Sequence, residues 1–84
     1  MFLHLGNDVV IPKRDIVAIL NVRVENSPVN REFMELARSE KIVQVIADKG
    51  KEKSIVLTSN RIYVSPISCS TLKKRAGMLV FDGD

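Results

Sequence analysis

The chain has 84 residues, 13 Lys/Arg against 10 Asp/Glu for a net charge of +3, and a 45% hydrophobic fraction. That length sets one domain over residues 1–84, and that apolar fraction excludes a disordered chain. One cysteine, Cys69, and one histidine, His4, exclude an internal disulfide and a zinc set.

So short a chain buries only about 60–65% of its unfolded surface, so its own core is marginal and self-association is the remaining support. No apolar run reaches the roughly 18 residues of a membrane helix. The opening MFLHLGND has no basic leader, and the unpaired cysteine suits a reducing compartment, so a cytoplasmic location is expected. Charge is uneven: residues 1–48 hold six cations against seven anions, −1, and residues 49–84 hold seven against three, +4. An acidic partner is the inference.

Residues 2–5 and 8–11 flank Gly6-Asn7, which predicts a hairpin pairing Leu3 with Val10 and His4 with Val9, stopped by Pro12. DIVAILNV (15–22) fits both a strand and a helix; its β-branched residues favour a strand. Ser27-Pro28 opens a helix that fades near Ser39–Lys41, with Val29, Phe33, Leu36 and Ala37 on its core face.

Three strands follow, IVQVIA (42–47), SIVLT (54–58) and RIYV (61–64). A tight turn at Ser59-Asn60 sets Leu57 opposite Ile62, Ile55 opposite Val64 and Val56 opposite Tyr63. Both faces of that hairpin are apolar, so a second cover is needed. The expectation is a subunit interface through Ile55, Val56, Tyr63 and Val64.

Ser68 caps a last short helix with Cys69, Leu72 and Ala76 inward and Gly77 as its stop. MLVF (78–81) is an apolar tail expected to pack or pair, and residues 82–84 should fray. The predicted fold is one α+β domain: a mostly antiparallel sheet of about five or six short strands, one central helix and one C-terminal helix.

Three cationic groups are candidates for a polyanion. Lys49, Lys51 and Lys53 alternate along DKGKEKSIVL, and as a backward extension of the strand they would share the face of Ile55. Gly50 marks a loop there, and edge lysines also guard a sheet against aggregation. Lys73, Lys74 and Arg75 fan around the last helix and also suit its C-terminal dipole. Lys13 and Arg14 follow the first hairpin, where a turn cation is the usual role and a forked phosphate contact the alternative.

Four aromatics, Phe2, Phe33, Tyr63 and Phe81, make no base-stacking platform. Phe33 is expected in the core and Tyr63 at an interface. No catalytic motif, phosphate loop or paired base is present, so neither an enzyme, a small-molecule substrate, a metal nor a cofactor is expected.

The stretches MFLHLGNDVVIPKRDIVAIL, NSP, KSIVLTSNRIYVSPIS and STLKKRAG together resemble the RemA/RemB family of small bacterial extracellular matrix regulatory proteins. The MxxHLG opening and STLKKRA resemble the RemB-like branch most. The resemblance implies a transcriptional regulator of biofilm matrix genes. It also implies a ring-shaped homo-oligomer of more than two subunits whose basic outer surface meets double-stranded DNA. It puts Arg14 at a family arginine, Lys49, Lys51 and Lys53 in a loop that is arginine-rich in RemA-like members, and Arg75 at a basic helix position. Lysine and Glu52 in that loop favour phosphate contact over forked recognition. The rival expectation is a protein–protein assembly module, perhaps binding a paralogue, without DNA contact.

Overall fold

The computed structural model describes residues 1–78, so the apolar residues 79–81 and the acidic end 82–84 lie outside it. Six strands run β1 (Phe2–Gly6), β2 (Val9–Pro12), β3 (Ile16–Asn21), β4 (Val43–Val45), β5 (Ser54–Thr58) and β6 (Ile62–Ser65). Helix α1 (Pro28–Ser39) joins β3 to β4, and α2 (Cys69–Arg75) follows β6. Single 3-10 turns at Lys13–Asp15 and Val22–Asn26 flank β3, which settles residues 16–21 as a strand.

The strands form two sheets: the β1–β2 hairpin, and a four-stranded sheet ordered β3-β5-β6-β4. The β5–β6 register is the expected one, with Ile55 opposite Val64, Val56 opposite Tyr63 and Leu57 opposite Ile62. β4 is three residues long and parallel to β6, where a strand over 42–47 was expected. The crossover through α1 returns the chain to the far edge in the direction of β3, which local pattern cannot reveal.

Both faces of β5–β6 are covered within one chain. Met34 and Ala37 of α1 close over Ile55, Ile62 and Val64. On the other face Leu3, Leu5 and Ile11 of the hairpin, with Cys69 and Leu72 of α2, bury Val56. Ile55, Val56 and Val64 are therefore core, and Tyr63 packs half-buried against the hairpin side. Burial of Ile55, Val56 and Val64 within one chain corrects their expected role as a subunit interface.

The helix that provides the first cover turns differently from expectation. Only Met34 and Ala37 are buried, whereas Val29, Phe33 and Leu36 remain 74%, 51% and 61% exposed. The apolar surface of α1 spans two adjacent stripes, and the sheet takes the narrower one. Phe33 is not core.

The first hairpin is offset by one residue from its predicted register. Leu3 pairs Ile11, His4 pairs Val10 and Gly6 pairs Val9, with an irregularity between His4 and Gly6. Gly6 has φ +124°, and a Cβ there would stand 3.0 Å from Pro66 and 3.3 Å from Ile46. The close approach of two distant segments, together with the turn, sets the pairing.

Helix ends are local chemistry. Ser27 holds the N-cap position and Pro28 the first turn, but no side-chain bond comes from Ser27. Arg31 instead reaches back to the carbonyls of Glu25 and Asn26, and Asn30 to that of Val24 at 3.0 Å. Ser68 caps α2 by accepting the Thr71 N–H, and Gly77 and Met78 donate to Lys74 and Lys73 in a Schellman close. Helix α1 closes the same way, Lys41 to Arg38 at 3.0 Å and Ile42 to Ala37 at 3.2 Å. There the left-handed residue is Lys41, with φ +61°.

Two predictions follow from this geometry. Lys41→Gly removes the side-chain strain of that conformation and should raise stability by about 0.5–1 kcal/mol, read as a higher urea midpoint. Ser65 is fully buried, donates its hydroxyl to the Leu5 carbonyl and accepts the Ile67 N–H at 3.0 Å. Ser65→Ala removes the partners of the buried Leu5 carbonyl and the partly buried Ile67 N–H and should lower stability by about 1–3 kcal/mol, read as a lower urea midpoint at constant m.

Candidate nucleic-acid interface

Strand direction decides which cations meet. β3 ends, β5 begins, and β6 and β4 end at the same edge of the four-stranded sheet. The connection 46–53 passes the end of β6 from β4 to β5, so it is a crossover rather than a hairpin loop. The Lys51 N–H donates to the Asp48 carbonyl at 2.9 Å, and Gly50 at φ +84° gives the turn its type II form. Lys49 and Lys51 therefore flank a turn instead of alternating along a strand, which corrects the extended geometry expected for them.

Lys53 is anchored on both sides by main-chain bonds, its N–H to Ser65 at 2.9 Å and its carbonyl to Val22 at 3.1 Å. All three lysine side chains are exposed, and none is in an ion pair among the described residues. Their backbone is fixed while their ammonium groups project into water.

A fourth cation joins them. Arg23 lies in the Val22–Asn26 turn, which Asn21 caps by accepting the Arg23 N–H at 2.9 Å. Its side chain is exposed, and it lines one shallow hollow together with Glu52, Lys53 and Ser68. Sequence reasoning passed over Arg23 because VRVEN has neither helical nor strand period; no local signal marks it. Half-buried Glu52 shares that hollow and offsets part of the charge. Arg38, near by in the adjoining cleft, is already paired with Glu25 at 2.9 Å.

The other predicted cations are elsewhere. Lys13 and Arg14 precede β3 at the opposite end of the sheet, where the Ser59 N–H bonds the Asp15 carbonyl at 3.1 Å. Exposed Arg61 follows the same turn. The length of β5 sets this end roughly 13 Å from the lysine loop. Lys73, Lys74 and Arg75 end α2, about 9 Å along its axis from Ser68, with Lys74 and Arg75 exposed and Lys73 half-buried. The lysine loop and Arg23 share one end of the sheet, with Lys53 and Arg23 on one hollow; Lys13-Arg14 is at the other end.

The single cysteine, the single histidine and the α2 cap are held by local bonds. Cys69 is buried against the Ile19 carbonyl at 3.5 Å, and Ser68 and Thr71 bond each other at 2.8 Å within the helix cap. Exposed His4 meets the Asn7 carbonyl at 2.6 Å. Among the described residues no helix is long and apolar enough to cross a membrane.

A family model described as extracellular matrix regulatory protein A-like, RemA-like, matches residues 2–76. The chain belongs to the RemA-like family. It is also similar to Extracellular matrix regulatory protein B of Bacillus subtilis (strain 168), at 45% identity over 76 residues, 90% of each chain. The RemA-like match takes in every element of the fold and the whole lysine loop.

Proposed function

We propose that this chain is a cytoplasmic, non-enzymatic regulator of extracellular matrix genes that binds duplex DNA through phosphates, several copies acting together as a ring. Family membership and the similarity to an extracellular matrix regulatory protein support the regulatory role. One observation supports the DNA contact: Lys49, Lys51, Lys53 and Arg23 lie at one end of the four-stranded sheet, Lys53 and Arg23 lining one hollow, and all four are exposed and outside any ion pair among the described residues.

Lysine is a point charge on a flexible stem, so it follows phosphates without reading bases. Three to four neutralised phosphates give a log–log salt slope of about −3 for one copy, which is weak binding at physiological salt. Repetition around a ring converts later contacts into intramolecular ones and multiplies the affinity without a new type of contact. DNA bendability then contributes to promoter choice. The second reading is an assembly module that binds protein alone; exposed Val29, Phe33 and Leu36 favour it.

The two readings diverge on one variant. Lys49→Ala/Lys51→Ala/Lys53→Ala should preserve the fold and the oligomer while weakening binding to every duplex sequence. It should also flatten the salt slope by about 2.7 per engaged copy. Mobility-shift titrations at several salt concentrations measure both. Unchanged affinity assigns the chain to the assembly module. Arg23→Ala should flatten the slope by a further ~0.9.

A further inference from the structure

We propose that Glu52 is a brake on phosphate contact, a carboxylate set beside Arg23 and Lys53 so that one copy grips a duplex less tightly than its cations alone would. The inference rests on the phosphate-contact reading above and names the residue that limits it.

Strand register puts the acid there. Across β3 and β5, Leu20 is opposite Ile55 and Asn21 is opposite Ser54. The Val22 N–H donates to the Lys53 carbonyl at 3.1 Å, which carries the same register one step past the end of β3. The next two positions are Arg23 and Glu52. A basic and an acidic residue thus leave the sheet side by side.

The backbone of both is held. The Arg23 N–H donates to the Asn21 side chain at 2.9 Å. Glu52 lies between two main-chain bonds, from the Lys51 N–H to Asp48 and from the Lys53 N–H to Ser65, both at 2.9 Å. These bonds keep Glu52 next to Arg23 however the long lysine side chains move.

Two hollows meet at this pair. One, of ≈240 Å³, is lined by Arg23, Glu52, Lys53 and Ser68. The other, of ≈350 Å³, is lined by Arg23, Glu52, Glu25 and Arg38 over an apolar floor of Val45 and Val64. Arg38 is taken by Glu25 at 2.9 Å, and neither Arg23 nor Glu52 is in an ion pair among the described residues. Glu52 is half-buried between exposed Lys51 and Lys53, so its carboxylate belongs to the rim that both hollows share.

A phosphate held between Arg23 and Lys53 therefore stands against a carboxylate that no other cation has claimed. An ionised carboxylate only accepts hydrogen bonds, so it has nothing to offer a phosphate oxygen. Two like unit charges about 5 Å apart in a water-like dielectric weaken binding by about four-fold. With no duplex present, the same carboxylate competes for Arg23. Both effects act in one direction.

Titration of two duplexes of unrelated sequence at several salt concentrations tests this. Glu52→Gln keeps the shape and removes the charge; it should bind both duplexes about four-fold more tightly at low salt, with the gain shrinking as salt rises. Glu52→Asp keeps the charge and should bind as the unsubstituted protein does. In an Arg23→Ala/Lys53→Ala background Glu52→Gln should give no gain, because the phosphate position it opposes is gone. Far-ultraviolet circular dichroism checks each fold, and Glu52→Ser replaces Glu52→Gln if that variant fails to fold. A charge-free variant that binds no tighter, or an equal gain in Glu52→Asp, overturns the brake while the lysine variants still uphold the DNA contact. Unchanged affinity in Lys49→Ala/Lys51→Ala/Lys53→Ala overturns both.

Discussion

The structure is organised around a strand pair that is apolar on both faces. Ile55, Leu57, Ile62 and Val64 occupy one side of β5–β6, and Val56 and Tyr63 the other. Neither face can be left in water, so a chain of 84 residues must find two covers for one narrow sheet. It does so by placing the crossover helix on one side and the N-terminal hairpin with the C-terminal helix on the other. Every later feature follows from that allocation. A helix that meets the sheet only through Met34 and Ala37 cannot also bury Phe33. A hairpin that turns Leu3 and Leu5 inward must turn Phe2 outward.

What was readable in the sequence was local. The β5–β6 register, the Ser68 cap, the Gly77 stop and the bounds of α1 depend on residues within a few positions of one another. What was hidden depends on distant ones. The Gly6 register answers to Ile46 and Pro66, and Ser65 to a carbonyl sixty positions earlier. Helical periodicity showed that α1 is apolar over a broad arc, but not which edge of the arc the sheet would occupy. The same limit misassigned the interface: doubly apolar strands correctly implied two covers, and the pattern could not say that both belong to the same chain. Lys41, a non-glycine residue in a left-handed helix close, left no pattern to read.

The candidate site divides in the same way. Excess charge after residue 48 is a property of composition, and it pointed to Lys49, Lys51 and Lys53. Which other cations stand beside them is a property of strand order. Because β3 and β5 are antiparallel neighbours, the residues just after β3 reach the lysine loop and those just before it cannot. Arg23 is gained and Arg14 is separated by one topological fact. The alternation of the three lysines along an extended strand is absent from the fold, since a type II turn occupies half of the segment. The charge survives this change of geometry because exposed ammonium groups on long stems need no fixed direction to meet phosphates.

Ser65 links the charged end of the molecule to its apolar hairpin. Its carbonyl accepts the Lys53 N–H at 2.9 Å, and its buried hydroxyl donates to the Leu5 carbonyl. The base of the lysine loop and the inner strand of the β1–β2 hairpin are thereby hung on a single residue of a core strand. Neither can rotate against the other without leaving a buried polar group unpaired, at a cost of about 1–3 kcal/mol.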